Sequence, residues 1–315
     1  MAHPYGPLAV GIDEGDGPLV VLLHGFPELP SSWRHQVQPL VDAGYHVVAP
    51  YLMGYGDSPR PEDPLEYTAD KLAASVVEVI DRYGADRAVV VGHDWGAALT
   101  WATTQLHPDR VRAMVAMAVP ITARSQKPPI ERLRDVMGNS FFYMIHFQQP
   151  GVADAELAAD PRAFLLGMYA ATSGNPPEGA LGALPADTGR FVDQLPPPAD
   201  LPAFLDPAAF EEAVATFART GFTGGLNHYR AMDPTWHTVP QLGTTPITCP
   251  VGFLAGEKDL VLAFTPTRSL GPPLVVDLRM DVRVPGVGHW VQQEAPKATT
   301  DALLGFLSGL PEAPA

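Results

Sequence analysis

Residues 92–96 read Gly92-His93-Asp94-Trp95-Gly96, a pentapeptide with the frame of a nucleophile elbow and an aspartate at its centre. Glycines on both sides let the chain turn sharply from strand to helix and hold the central side chain out for attack. A carboxylate in that place is already ionised near neutral pH. It needs no base to activate it and can displace a leaving group at saturated carbon. Two other readings fit the five residues alone: a chance Gly-x-Asp-x-Gly turn, or an aspartate capping the helix that follows. The flanks favour the nucleophile, because the β-rich run 87–91 precedes it and the helix-prone run 95–107 follows.

Three further segments supply partners. Gly256-Glu257-Lys258-Asp259 follows an apolar run, and Gly286-Val287-Gly288-His289-Trp290 lies in a loop before the last helical pattern. Nucleophile, acid, histidine is the chain order of an α/β-hydrolase triad, in which Asp259 orients His289 and stabilises its protonated form. Taken singly, Asp259 reads as a turn residue and His289 as an exposed loop histidine; Glu257 is the competing acid. The third segment, His24-Gly25-Phe26-Pro27-Glu28, follows the run Leu19–Leu23. The backbone N–H groups of Phe26 and Trp95 could there form an oxyanion hole. A tight loop with a cis Phe26-Pro27 bond is the plainer reading of the same residues.

The elements needed to position these residues are legible as alternating strand and helix patterns over residues 18–120. The short all-apolar run 19–23 suits a buried parallel strand, and the apolar-rich runs 45–49, 87–91 and 111–119 read as further strands. Ser31 and Ser32 can cap a helix through Leu40, and Thr68 a second helix over Ala69–Tyr83. After Pro120 the rhythm stops, and residues 121–240 read as helical fragments broken by Pro- and Gly-rich stretches such as 173–179 and 195–198. It returns with a strand around Cys249, another at Leu278–Val284 and a helix over Pro296–Leu310. The expected fold class is α/β, with a mostly parallel central sheet and helices on both faces. The core comprises residues 1–120 and 245–315, and an inserted helical cap spans 121–244.

Bulk properties narrow the partners. The chain has 315 residues, 46% of them apolar, and a net charge of −15 spread along its length. That balance argues against nucleic acid or an anionic membrane surface. The single cysteine, Cys249, cannot close an intrachain disulfide. No HExxH or CxxC spacing occurs, so no metal is expected. Neither a signal-peptide pattern nor an apolar run of transmembrane length is present, and a cytoplasmic protein is expected. The oligomeric state is not legible.

Together these segments resemble the α/β-hydrolase-fold epoxide hydrolases of the soluble, cytosolic type. The motifs that carry the resemblance are His24–Glu28, Gly54-Tyr55-Gly56-Asp57-Ser58, Gly92–Ala97 and Gly288-His289-Trp290. The stretch before Gly25 is short for that family's eight strands, so the first strand is expected to be abbreviated or missing. The resemblance implies two epoxide-activating tyrosines in the cap: Tyr143, within Phe141–Gly151, and Tyr229, within Leu226–Met232. A phenol can protonate an alkoxide, which an opening epoxide needs and a departing halide does not. A lone cap tyrosine is ordinarily packing; Tyr169 is the nearest competitor.

The implied reaction joins an epoxide and water into a vicinal diol with no cofactor. Asp94 is the nucleophile, His289 with Asp259 activates the water, and Phe26 and Trp95 hold the oxyanion. Glu28 and His93 would position water, and Phe26, Trp95, Met144 and Trp290 would line the pocket. A dehalogenase with the same Asp–His–Asp set is one alternative. Its carboxylate-binding version would want arginines where Ala97, Ala98 and Leu99 stand, and its alkane version further halide-binding groups. A non-catalytic ligand-binding protein on this fold is the other.

Overall fold

The computed structural model describes residues 5–182, 189–265 and 270–311. Strands form at the apolar runs: β1 (Val10–Glu14), β2 (Leu19–Leu23), β3 (His46–Pro50), β4 (Ala88–His93), β5 (Val111–Met117), β6 (Val251–Gly256) and β7 (Leu278–Val284). They make one 7-stranded sheet in the order β1-β3-β2-β4-β5-β6-β7. Only β1 runs antiparallel, against β3.

Alternation along each strand sends side chains to two separate cores. Val20, Leu22, Val47, Val89, Val91 and Val115 meet Trp33, Leu40 of α1 (Arg34–Asp42), and Leu303 and Phe306 of α13 (Pro296–Ser308). Leu19, Val21, Leu23, Val48 and Val90 point the other way. They pack on Leu72, Val76 and Ile80 of α2 (Ala69–Arg82) and on Leu99 of α3 (Trp95–Leu106). Both faces are covered, which is why these strands read as continuous apolar runs. Among the described residues no helix is long and apolar enough to cross a membrane.

Between β5 and β6 the chain leaves the sheet for α4 (Pro129–Met137), α5 (Tyr143–His146), α6 (Val152–Ala158), α7 (Pro161–Ala171), α8 (Pro207–Thr220), α9 (Thr223–Arg230) and α10 (Met232–Thr238). After β6 come α11 (Val261–Phe264) and, beyond β7, α12 (Val291–Glu294). Proline opens α4, α7 and α8, where a missing N–H costs nothing, and aspartate side chains cap α7 and α8.

Several local expectations need correction. Strand β1 was not expected; its Val-Gly-Ile-Asp-Glu sequence carries few apolar residues because it is a half-exposed edge. Neither Ser31 nor Ser32 caps α1, which grows out of a 3-10 turn over Pro30–Trp33. Thr68 precedes α2 without a side-chain cap, its hydroxyl donating to the Leu65 carbonyl. Cys249 lies ahead of β6, which starts only after Pro250, and burial pushes its thiol up to about 11.

The strand order places a site. From β2 the chain steps to β3 on one side, and β4 then pairs with β2 on the other, with Leu23 opposite Gly92. The carboxyl ends of β2 and β4 therefore diverge around a crevice, the topological switch point where open α/β sheets bind ligands.

Candidate active site

Asp94 sits at that switch point between β4 and α3, with φ 52° and ψ −116°. Non-glycine residues rarely adopt such a backbone, and the strain holds the carboxylate above the sheet. The flanking glycines are there because backbone crowds them. A Cβ on Gly92 would lie 2.0 Å from the Gly96 carbonyl oxygen, and one on Gly96 would lie 2.1 Å from that of Leu23.

Each oxygen of Asp94 has a different neighbour. The Phe26 N–H donates to Oδ1 at 2.8 Å, from the loop after β2. Oδ2 faces His289 Nε2 at 3.6 Å. The Trp95 N–H is the first of α3, a position with no partner inside its own helix, so it is available beside Asp94. The Phe26-Pro27 bond is cis.

His289 Nδ1 lies 3.1 and 3.0 Å from the two oxygens of Asp259, which is buried in the turn after β6. Glu257, the competing acid, instead accepts from the Gly286 N–H. Burial opposes charge on His289, but Asp259 first and Asp94 second raise its pKa well above the ordinary value. Burial likewise pushes the Asp94 carboxyl up, and His289, His93 and the Phe26 N–H outweigh it, leaving Asp94 below the ordinary carboxylate range.

Behind this trio is a polar layer with no route to solvent. Glu28 is wholly buried; Oε2 accepts from His93 Nδ1 at 2.7 Å and from the Gly25 N–H, and Oε1 accepts from Gln292 and Gln293. His93 Nε2 donates to the His289 carbonyl at 2.8 Å. Burial raises the Glu28 carboxyl, but His93 and the Gly25 N–H bring it below its usual value. His24 and His228, both buried, are pushed down to about 4 by desolvation and are neutral packing and hydrogen-bonding groups.

Tyr143 opens α5 and Tyr229 lies on α9, their ring centroids 5.9 Å apart. Tyr229 packs edge-on to Trp95, Phe147 and Phe26, while Tyr143 stacks on Phe191. Burial, and then the Asp94 charge, push both phenols up, so each keeps its proton. Two side chains tie the segments together. Gln148 donates to the Met144 and Tyr229 carbonyls, and Arg230 donates to the Phe147 carbonyl while paired with Asp154. The Tyr169 hydroxyl is committed to the Pro27 carbonyl. Met144, the next residue after Tyr143, is partly buried against the same core. Trp290 is fully buried, with its indole N–H on the Tyr169 carbonyl and its ring against His289 and His93. It backs the histidine. Among the described residues no group of His, Cys, Asp and Glu side chains could hold a metal ion.

Glu28's partners Gln292 and Gln293, and the Arg230–Asp154 tie, were missed from sequence. Glutamines and a paired arginine carry no motif, and only the fold brings them to the site.

A strained carboxylate at the switch point of this sheet, with an imidazole and a second acid behind it, defines an α/β-hydrolase-fold protein. The family model described as alpha/beta hydrolase fold matches residues 18–296. The chain is 46% identical over 300 residues to epoxide hydrolase A of Mycobacterium tuberculosis, covering 94% of this chain and 92% of that protein. The crystal structure of epoxide hydrolase A from Mycobacterium thermoresistibile superposes with a TM-score of 0.90 at 44% identity, covering 96% and 95% of the two chains. An epoxide hydrolase from an endophytic Streptomyces gives 0.92 at 34% identity, covering 98% and 94%. The chain belongs to the epoxide hydrolases of the α/β-hydrolase fold.

Proposed function

We propose that this protein hydrolyses epoxides to vicinal diols in two covalent steps, with residues 121–244 acting as a cap over the core formed by 1–120 and 245–315. The observation that carries the reading is the division of labour at Asp94: Oδ1 is held by the Phe26 N–H, while Oδ2 faces His289 Nε2 at 3.6 Å and is the oxygen assigned to attack. In the first step Oδ2 bonds to one oxirane carbon and the C–O bond breaks. The ring oxygen takes its proton from one of the phenols of Tyr143 and Tyr229, which hold it between them. The product is an ester on Asp94.

Esterification removes the Asp94 negative charge. Part of what keeps His289 protonated is thereby lost; its proton goes to restore the phenol deprotonated in the first step, and the neutral imidazole becomes a base when one is needed. His289 Nε2 then takes a proton from water, and the hydroxide adds to the Asp94 carbonyl carbon. The resulting oxyanion on Oδ1 is held by the N–H groups of Phe26 and Trp95. Collapse breaks the bond from that carbon to Oδ2; the departing alkoxide takes the proton of the new carboxyl group, which completes the diol, restores the carboxylate and leaves His289 protonated as at the start. Glu28 and His93 support this step from behind, since His93 holds the His289 carbonyl.

A His289→Gln variant tests the sequence of events. It should consume about one equivalent of a simple epoxide per enzyme and then stall, with intact mass raised by one substrate mass and the adduct mapped to Asp94. Asp94→Ala should show neither burst nor adduct. Normal turnover by His289→Gln, or an adduct elsewhere, would overturn the two-step reading. Halide release from a haloalkane in place of epoxide opening would move the chain to the dehalogenases.

A further inference from the structure

Glu294, at the end of α12, takes no part in the chemistry above, yet its carboxylate gathers three backbone N–H groups. Oε2 accepts from Gly288 at 3.1 Å and from Gly174 at 2.7 Å, and Oε1 accepts from Trp290 at 3.0 Å. Gly288 and Trp290 are the residues on either side of His289. Gly174 belongs to the inserted segment, just beyond α7, and its carbonyl accepts from Lys258 Nζ at 2.7 Å. Lys258 is the neighbour of Asp259. In addition, the His289 N–H donates to the Thr172 carbonyl at 2.9 Å.

The backbones meet with no room for side chains. A Cβ on Gly174 would lie 2.1 Å from the Gly286 carbonyl oxygen, and one on Gly288 would lie 2.3 Å from the Ser173 carbonyl carbon. Residues 172–174 are thus clamped between the loop that carries the base and the loop that carries its acid. Hydrogen bonds from backbone N–H to a carboxylate are short and strong; those to Glu294 fix the 287–288 and 289–290 peptide planes, and the Thr172 carbonyl holds the plane between them.

We infer that Glu294 is a positioning residue for the hydrolysis step, holding the His289 loop on residues 172–174 of the inserted segment; this rests on the two-step reading. His289 sits between two carboxylates that both attract it, at 3.0 Å from Asp259 and 3.6 Å from Asp94. The hold on its loop determines where the ring rests between them. Alkylation needs only an ionised Asp94 and the phenols, whereas hydrolysis needs Nε2 placed beside the ester. Losing Glu294 should therefore slow the second step selectively.

The test is pre-steady-state kinetics of the full-length Glu294→Ala and Glu294→Gln proteins with styrene oxide. Stopped-flow fluorescence would follow both steps, and rapid-quench mass spectrometry the ester. For Glu294→Ala the hydrolysis rate should fall roughly 10- to 100-fold, as for a displaced catalytic group, while alkylation is unchanged. The adduct then accumulates, and kcat and KM fall together so that kcat/KM is preserved. Glu294→Gln keeps one acceptor oxygen and should lie between Ala and wild type. A merely structural role would lower both steps alike along with Tm, and that result overturns the inference, as does a wild-type hydrolysis rate in both variants. Should Glu294→Ala not fold, Glu294→Gln and Lys258→Met carry the same test, the latter releasing the other side of Gly174. A wild-type enzyme that forms no ester on Asp94 would overturn the two-step reading itself. A wild-type ester with unaffected Glu294 variants would overturn only the positioning role.

Discussion

Replacing both Tyr143 and Tyr229 by phenylalanine removes two hydroxyl groups and nothing else from the site. Both rings sit in an aromatic wall of Phe26, Trp95, Phe147 and Phe191, so the phenylalanine rings keep the same packing. Folding stability should change by no more than about 1 kcal/mol per hydroxyl. On the proposed mechanism the cost to chemistry is larger, because each phenol would donate to an oxygen that gains charge only as the ring opens. Removing one such donor from a water-poor site costs about 2.7–4 kcal/mol, a factor of roughly 10²–10³ in rate. With centroids 5.9 Å apart the two rings can reach one oxygen, and a single variant leaves the other donor in place. Each single variant should therefore sit toward the low end of that range, and the double variant should lose more than either. Stopped-flow fluorescence reads the alkylation rate, since Trp95 adjoins Asp94 and contacts Tyr229 at 4.8 Å. Ring opening at the wild-type rate in a folded double variant would refute the role of the phenols and with it the epoxide chemistry. So would single variants that slow only ester hydrolysis.

Three further outcomes follow from the same geometry. A single turnover in heavy-oxygen water should place the label in Asp94 and leave the first diol unlabelled, as read by peptide mass spectrometry; label in that diol would mean direct attack of water on the epoxide. His289 has its pKa raised by Asp259 and Asp94, so its contribution to stability is fully present below its ordinary value of 6.5 and is lost as pH rises through the folded value. Asp94→Asn, which removes one of the two charges, should lower the His289 titration seen by NMR, and an unmoved midpoint would contradict the coupling. Gly96→Ala should destabilise by about 3 kcal/mol or more, because its Cβ would meet the Leu23 carbonyl oxygen at 2.1 Å; a wild-type denaturation midpoint would argue against the packing of the elbow.

The parts of this protein that could be read from sequence are those whose physics is local. The elbow announces itself because two crowded glycines and a run of β-branched residues leave few other conformations for 87–96. Asp94, Asp259 and His289 could be placed from sequence because each follows a strand directly or sits in the loop after one, and apolar runs mark strands well. What escaped has a non-local cause. Strand β1 has a half-exposed sequence and exists through pairing with β3. The partner of Trp290 is likewise distant in the chain, its indole N–H donating to the Tyr169 carbonyl. Residues 121–244 read only as helical fragments, since α5 and α6 are 4 and 7 residues long and owe their form to packing. Glu294 and Gln293 are ordinary polar residues in sequence, and only the approach of segments far apart in the chain gives them partners.

Two chemically opposed demands meet at His289. Alkylation is best served by a fully ionised Asp94, which the nearby imidazolium stabilises, whereas hydrolysis requires the same imidazole to be neutral. A site with one fixed charge state would serve one step and fail the other. Here the change of state is built into the reaction, because forming the ester removes the charge at 3.6 Å that helped hold the proton. Asp259 lies on the other ring nitrogen, away from the bond changes, so the ring stays oriented while its proton affinity drops. The buried Glu28–His93 pair grips the His289 backbone carbonyl, away from the ring, and can hold the loop without competing for the titrating nitrogen. Moving either carboxylate would break this arrangement. An acid closer than Asp259 would hold the proton on the imidazole through the second step. An Asp94 farther from the ring would lose both the stabilising partner in the first step and the electrostatic trigger for the second.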